Sequence, residues 1–135
     1  MTSFPLKIVS PDGVDYDGMA EQLTVRTTTG DIGILAGHVN CVAPLGMGRA
    51  TVVADGQRRY GACIGGMVSV VDGNVTLVAT TFEWADQINL ARAEESIQEA
   101  QETLHRKDLS QRELKLAEAK LRRALVRKSV ATGNK

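Results

Sequence analysis

The sequence predicts an α+β chain: an antiparallel β-sandwich of about ten strands in two sheets, followed by an antiparallel two-helix hairpin. Three observations carry this. Twelve of the 13 glycines precede Phe82, and only Gly133 follows. The spacing of apolar residues changes near Phe82–Asn89 from every second residue to every third or fourth. The charge changes sign there too: residues 1–85 carry five basic and eight acidic side chains, residues 86–135 eleven and eight. These shifts divide the chain into a strand-built domain, 1–85, and a helical hairpin, 86–135.

The strands follow in order. Leu6-Lys7-Ile8-Val9 alternates and meets the turn signal Pro11-Asp12-Gly13. Glu21 to Thr28 sets Leu23 and Val25 against polar neighbours, which gives one buried face. Gly48 to Ala54 runs into Asp55-Gly56, a dipeptide suited to the positive φ of a tight hairpin, and Arg59 to Ile64 returns. Met67 to Val71, the turn Asp72-Gly73-Asn74, and Val75 to Ala79 make a second hairpin. Short strands at this spacing indicate a sandwich or barrel.

In the second half Leu90, Ala93, Ile97, Ala100 and Leu104 fall on one helical stripe, as do Leu114, Ala117, Leu121 and Ala124. Asn89 is a good N-cap for the first helix, with Ile88 and Ala93 at the staple positions. Ser110 and Glu113 form a Ser-x-x-Glu capping box for the second. Arg106-Lys107-Asp108-Leu109 joins them, so the helices run antiparallel with Leu and Ala across a narrow seam. About six large seam residues, each worth roughly 1.5–3 kcal/mol when buried, stand against about 1–2 kcal/mol of backbone entropy per residue. The hairpin is therefore expected to be marginal alone and able to detach or extend.

Composition narrows the function classes. The chain is 43% hydrophobic but only 4% aromatic, so its core is aliphatic. Zero formal charge gives no overall pull toward nucleic acid or membrane. Cys41 and Cys63 make no disulfide framework and read as small core residues in a reducing compartment. There is no apolar signal core at the start and no run of the ~20 apolar residues a membrane span needs. His38 and His105 are unlinked, and no nucleophile–base pair or metal-ligand cluster is evident, which disfavours an enzyme. A nucleic-acid-binding adaptor with a basic helical arm is a further alternative, but its basic helix lacks interleaved aromatics.

The stretch Gly30-Asp31-Ile32-Gly33-Ile34-Leu35-Ala36-Gly37-His38 holds three glycines and a histidine in nine residues. It reads as a constrained loop built to meet another protein. No Lys-Ser/Thr follows, so it is no phosphate cradle, and Gly46-Met47-Gly48 lacks the third glycine of a dinucleotide fingerprint. Together with Gly65-Gly66 before a strand, Asp72-Gly73-Asn74-Val75-Thr76, and Ile88-Asn89-Leu90-Ala91-Arg92-Ala93 opening the hairpin, it resembles the epsilon subunits of bacterial F-type ATP synthases. The likeness covers nearly the whole chain, in the same order.

The resemblance implies a ten-stranded sandwich and two helices. It implies a non-catalytic rotor subunit bound to the gamma subunit and the c-subunit ring, peripheral to the cytoplasmic face of the membrane, with no metal and no nucleic-acid partner. It places Asp31, Ile32, Gly33, Leu35 and His38 at the rotor contact. It also implies a hairpin that can extend toward the α/β catalytic subunits and restrain ATP hydrolysis, with Arg122, Arg123 and Arg127 on the inhibitory face. Some members bind regulatory ATP, which carries over to Glu83, Asn89, Arg92, Ala93 and Arg122; no cofactor is required. Two departures stand out: Ala36 replaces a frequent proline, and Asn89 replaces the aspartate of ATP-binding members. Arg92 lies in a first helical turn, where the macrodipole disfavours a cation. A nearby anion explains it, and so does an ion pair with Glu95 or Glu83.

Overall fold

The computed structural model describes residues 2–133. They form two compact units, one ending at Trp84 and one beginning at Ala85.

The first unit has seven strands: β1 (Phe4–Ser10), β2 (Gly13–Ala20), β3 (Gln22–Thr27), β4 (Gly30–Leu35), β5 (Cys41–Ala54), β6 (Gln57–Val71) and β7 (Asn74–Trp84). They make one sheet in the order β2-β1-β7-β6-β5-β3-β4. All neighbours are antiparallel except β1 and β7, which run parallel.

β5, β6 and β7 are long, at 14, 15 and 11 residues. Each serves twice, so a sandwich count of about ten comes from seven strands. The change-over is visible in the burial. In β5 the inward residues are Ala43 and Leu45, then Ala50 and Val52. In β7 they are Val75, Leu77 and Ala79, then Phe82 and Trp84. In β6 they pass from Cys63 to Val68 and Val70. The inward parity flips in all three strands along one row, where Gly46, Gly65 and Thr80 drop out of the ladder while the register on either side is unchanged. One residue per strand leaves the pleat, and the same surface of the sheet stays inward on both sides of the corner.

Glycine makes this corner possible. Gly65 and Gly66 have φ of 68° and 120°, a region L-residues avoid. A Cβ on Gly66 would overlap the Val78 carbonyl oxygen. In the sequence this glycine pair reads as a break between two strands; in the fold β6 runs straight through it. β2 adds a strand that the sequence reading did not separate. It carries a bulge at Asp15, between the pairs Ile8↔Tyr16 and Val9↔Val14. The Trp84 indole N–H donates to the Asp15 carbonyl at 3.0 Å. Trp84 also meets Phe82 and Tyr16 edge-on, at 4.9 and 6.3 Å between centroids. It is thus a core residue of the sandwich, tying β7 to β2 across the two layers.

The second unit opens with a 3-10 turn, Ala85–Gln87, and continues with α1 (Leu90–Leu104) and α2 (Gln111–Thr132). The Asn89 side chain accepts the Arg92 N–H at 3.1 Å, and Ser110 and Glu113 form the reciprocal capping box. The buried seam is narrower than the leucine pattern suggests. Its buried residues are Ala93, Ala100, Ala117, Ala124 and Val130, while Ile97, Leu104, Leu114 and Leu121 of the predicted stripes are only half-buried and Leu90 is exposed. Heptad-spaced alanines let the helix axes approach closely but bury little area, at about 0.8 kcal/mol per methyl-sized group.

Gly66→Ala should lower the unfolding free energy of the full chain by more than about 2 kcal/mol, because it combines a disfavoured φ with a backbone collision. Gly73→Ala, at a φ of 82° with no neighbour within 4 Å, should cost markedly less. Urea unfolding of both variants checks this.

Candidate functional site

The stretch predicted as a loop is mostly a strand. Gly30–Leu35 is β4, an edge strand paired in register with β3 as Leu23↔Ile34, Val25↔Ile32 and Arg26↔Asp31. Ile32 and Ile34 alternate and pack inward, and this drives pairing despite the glycines. Of the five residues assigned to the rotor contact, Asp31, Gly33 and Leu35 therefore share the outward face, and Ile32 turns to the core. His38 lies in the turn beyond the far end of β4. Its backbone N–H donates to the Leu35 carbonyl at 3.2 Å; its Nδ1 lies 2.9 Å from the Val39 carbonyl and 3.9 Å from Cys41 Sγ. Asp31 and His38 thus flank opposite ends of β4.

Asp31 is not a bare carboxylate. Arg26 Nε donates to its Oδ1 at 2.6 Å and Nη2 to its Oδ2 at 3.5 Å. The pair is about half-exposed on both sides. The turn beyond it is locked by buried Thr27, whose hydroxyl donates to the Gly30 carbonyl at 2.6 Å and accepts the Thr29 N–H at 3.2 Å. Gly46 and Gly48 acquire a role here. A Cβ on Gly48 would stand 2.5 Å from Arg26 Cβ, and one on Gly46 3.3 Å from the Thr27 carbonyl oxygen. Glycine in a strand interior costs roughly 0.5–1 kcal/mol against alanine, and an exposed ion pair returns about 0–1 kcal/mol. Two glycines seating one exposed arginine are therefore not explained by stability alone.

A second surface was missed by the sequence reading. On the outer face of the layer built from β2, β1 and the adjoining halves of β7, β6 and β5, one cross-strand row reads Pro44↔Met67↔Val78↔Val9↔Val14. Val42, Val71 and Met19 extend the same face and are exposed, as are Met67, Val78 and Val14. A soluble sheet normally turns polar residues outward. The signal was present in the sequence: Met67-Val68-Ser69-Val70-Val71 and Val75-Thr76-Leu77-Val78 carry apolar residues on both parities.

In the hairpin, Asn89 caps α1, Arg92 is exposed one turn in, and Ala93 is buried in the seam. Lys120 donates to Glu99 at 2.7 Å, and Lys128 and Glu94 stand 4.0 Å apart. Arg92 lies in the first turn of α1 and Arg122 in the middle of α2, both exposed, while Glu83 lies in the other unit, on β7. Arg122 and Arg123 are exposed on α2, outside these ion pairs; Arg127 is half-buried.

Lys120, by hydrogen bond and charge, holds the Glu99 carboxyl below its usual range. Burial pushes the Cys63 thiol up to about 12, which makes it inert at neutral pH. Among the described residues no group of three or more His, Cys, Asp or Glu could hold a metal.

Comparison with known proteins yields two family matches. The model for the β-sandwich domain of ATP synthase delta/epsilon chains matches residues 3–85, and that for the long α-helix domain matches residues 86–132. The chain is 39% identical to the ATP synthase epsilon chain of Ruminococcus albus over 132 residues, 97% of this chain and 98% of that one. It is 43% identical to the epsilon chain of Bacillus subtilis over 105 residues, 78% and 80% of the two chains. In fold it is similar to a chain of the Euglena gracilis mitochondrial ATP synthase F1/c-ring structure, with a TM-score of 0.80 and 22% identity over 90% of this chain and 77% of that one.

A lowered carboxylate pKa stabilises the folded hairpin above the ordinary glutamate value of about 4.3, and this contribution is lost as pH falls through the native value. Protection factors of the α1 amides, that is exchange corrected for its intrinsic pH dependence, should therefore fall on acidification through the carboxylate range. Glu99→Gln should start less protected at neutral pH and lose less on acidification.

Proposed function

The chain belongs to the ATP synthase delta/epsilon chain family, as an epsilon-type rotor subunit of that complex, and from this premise we propose how its surfaces divide the work. The outward apolar face of the sandwich is the gamma-subunit dock. The tip of β3–β4, with Asp31, meets the c-subunit ring. The chain is non-catalytic and mechanical: it couples rotation driven by ion flow to ATP synthesis in the catalytic α/β subunits. Among the described residues no helix is long and apolar enough to cross a membrane. Its place at the cytoplasmic face of the bacterial membrane comes through the complex.

The observation that carries this reading is the row from Pro44 to Val14. A rotor subunit transmits torque through a surface that neither slips nor hydrates, and apolar cross-strand rows on a pleated face supply one. Each exposed valine or methionine covered there contributes in proportion to the area removed from water, at about 25 cal/mol per Å². Val78→Asp should weaken binding of the full chain to the gamma subunit by roughly tenfold or more while leaving its melting temperature near wild type, because Val78 faces outward. Titration calorimetry decides; unchanged affinity removes the dock from this face.

The hairpin supports a second, regulatory role. Its acidic α1 and basic α2 attract one another through Glu99–Lys120 and Glu94–Lys128. We read α2 as able to exchange these partners for an acidic surface of the catalytic subunits, with Arg122, Arg123 and Arg127 leading. Nucleotide is not needed for this: Asn89 caps α1 without bringing the charge of an aspartate. Charge reversal of the three arginines to Glu should raise ATP hydrolysis by the assembled enzyme, measured against wild type at equal subunit occupancy.

A further inference from the structure

Arg26 lies outside every site read from the sequence, yet it is held both by a carboxylate and by close packing of its stem. We infer that Arg26 is a positioning residue for the rotor contact at Asp31, fixing the direction and the charge that the β3–β4 tip presents. This rests on the reading above that Asp31 faces the ring.

Three observations converge. Arg26 and Asp31 are direct cross-strand partners one pair before the turn. The guanidinium reaches both carboxylate oxygens, closely at 2.6 Å and loosely at 3.5 Å, which favours one direction of the carboxylate. The arginine stem is itself held in place: it lies over Gly48 and Gly46, where a Cβ would stand 2.5 Å from Arg26 Cβ and 3.6 Å from Arg26 Cγ respectively. In the Gly46-Met47-Gly48 motif, which completes no nucleotide fingerprint, Gly48 makes room for this arginine, while Gly46 also belongs to the row that leaves the ladder.

The chemistry of the partner follows. A lone aspartate at the tip would select a cationic surface and pay for its own desolvation. A neutralised pair, about half-exposed on both sides, presents fixed donors and acceptors with little net charge. It suits a polar, uncharged surface such as a ring of loop backbones and amide or hydroxyl side chains. Such a contact is weakly dependent on salt and holds one fixed orientation as the rotor turns.

The test is a double-mutant cycle on the full chain, with binding to a purified gamma–c-ring subcomplex measured at two salt concentrations and the melting temperature of each free variant recorded. Arg26→Gln should weaken binding about as much as Asp31→Asn, roughly three- to tenfold. The double variant should be no worse than either single, Arg26→Lys, which keeps the charge but loses the fork, should recover only part of the loss, and wild-type affinity should change little with salt. The melting temperature should hardly move, which separates positioning from a structural role. If Asp31→Asn weakens binding and Arg26→Gln does not, or if their effects add, Arg26 has no positioning role although Asp31 remains the contact. If Asp31→Asn has no effect, the reading of the tip as the ring contact falls, and this inference with it.

Discussion

The structure of the first unit depends on one row of residues that leaves the pleat. Without Gly65 in a left-handed conformation beside Gly46 and Thr80, β5, β6 and β7 would continue as a flat sheet. Residues alternating at period two would then place Val68 and Cys63 on opposite faces. The skipped row re-phases the alternation, and eighteen buried residues from all seven strands close into a single core. The requirement is steric before it is energetic. At Gly66 the Val78 carbonyl occupies the space of any side chain.

Folding one sheet onto itself has a second consequence. It hides the inner face completely and leaves two outer faces with different chemistry. On one, Arg26, Asp31, Gly33 and Leu35 end in a locked polar turn. On the other, a row of valine, methionine and proline crosses five strands. An extended apolar row on an outer face is a liability for a free protein and an asset for one that spends its life bound. The hairpin follows the opposite logic. Its alanine seam buries little, and its interhelical ion pairs are exposed and worth little each. The base is firmly packed and the hairpin lightly held.

Much of this was legible in the sequence where the signal is local. Asn89 and Ser110–Glu113 place both helix starts, and Asp55-Gly56 and Asp72-Gly73 place two hairpins whose aspartates do adopt positive φ. What the sequence hid was decided by partners far along the chain. Gly65-Gly66 ends a strand by propensity but is carried through by ladders on both sides. Gly30–Leu35 is too glycine-rich to read as a strand until Leu23 and Val25 offer Ile34 and Ile32 a face to join. Arg26 and Asp31 look unrelated until the turn is centred on Thr28-Thr29, which makes them opposite neighbours. The seam was overestimated because leucine spacing marks a face without saying how deeply it is buried; the alanines are what the helices close upon.

The central claim is that the sheet spends its inner face on the core and keeps its outer apolar row for a partner. Side-chain oxidation footprinting of the full chain, free and within assembled ATP synthase, addresses it directly, since Met19 and Met67 both stand on that face and are exposed in the structure. The account predicts that both methionines are oxidised readily in the free chain and become protected on assembly. Equal oxidation in both states would show the face bare in the working complex and would contradict it.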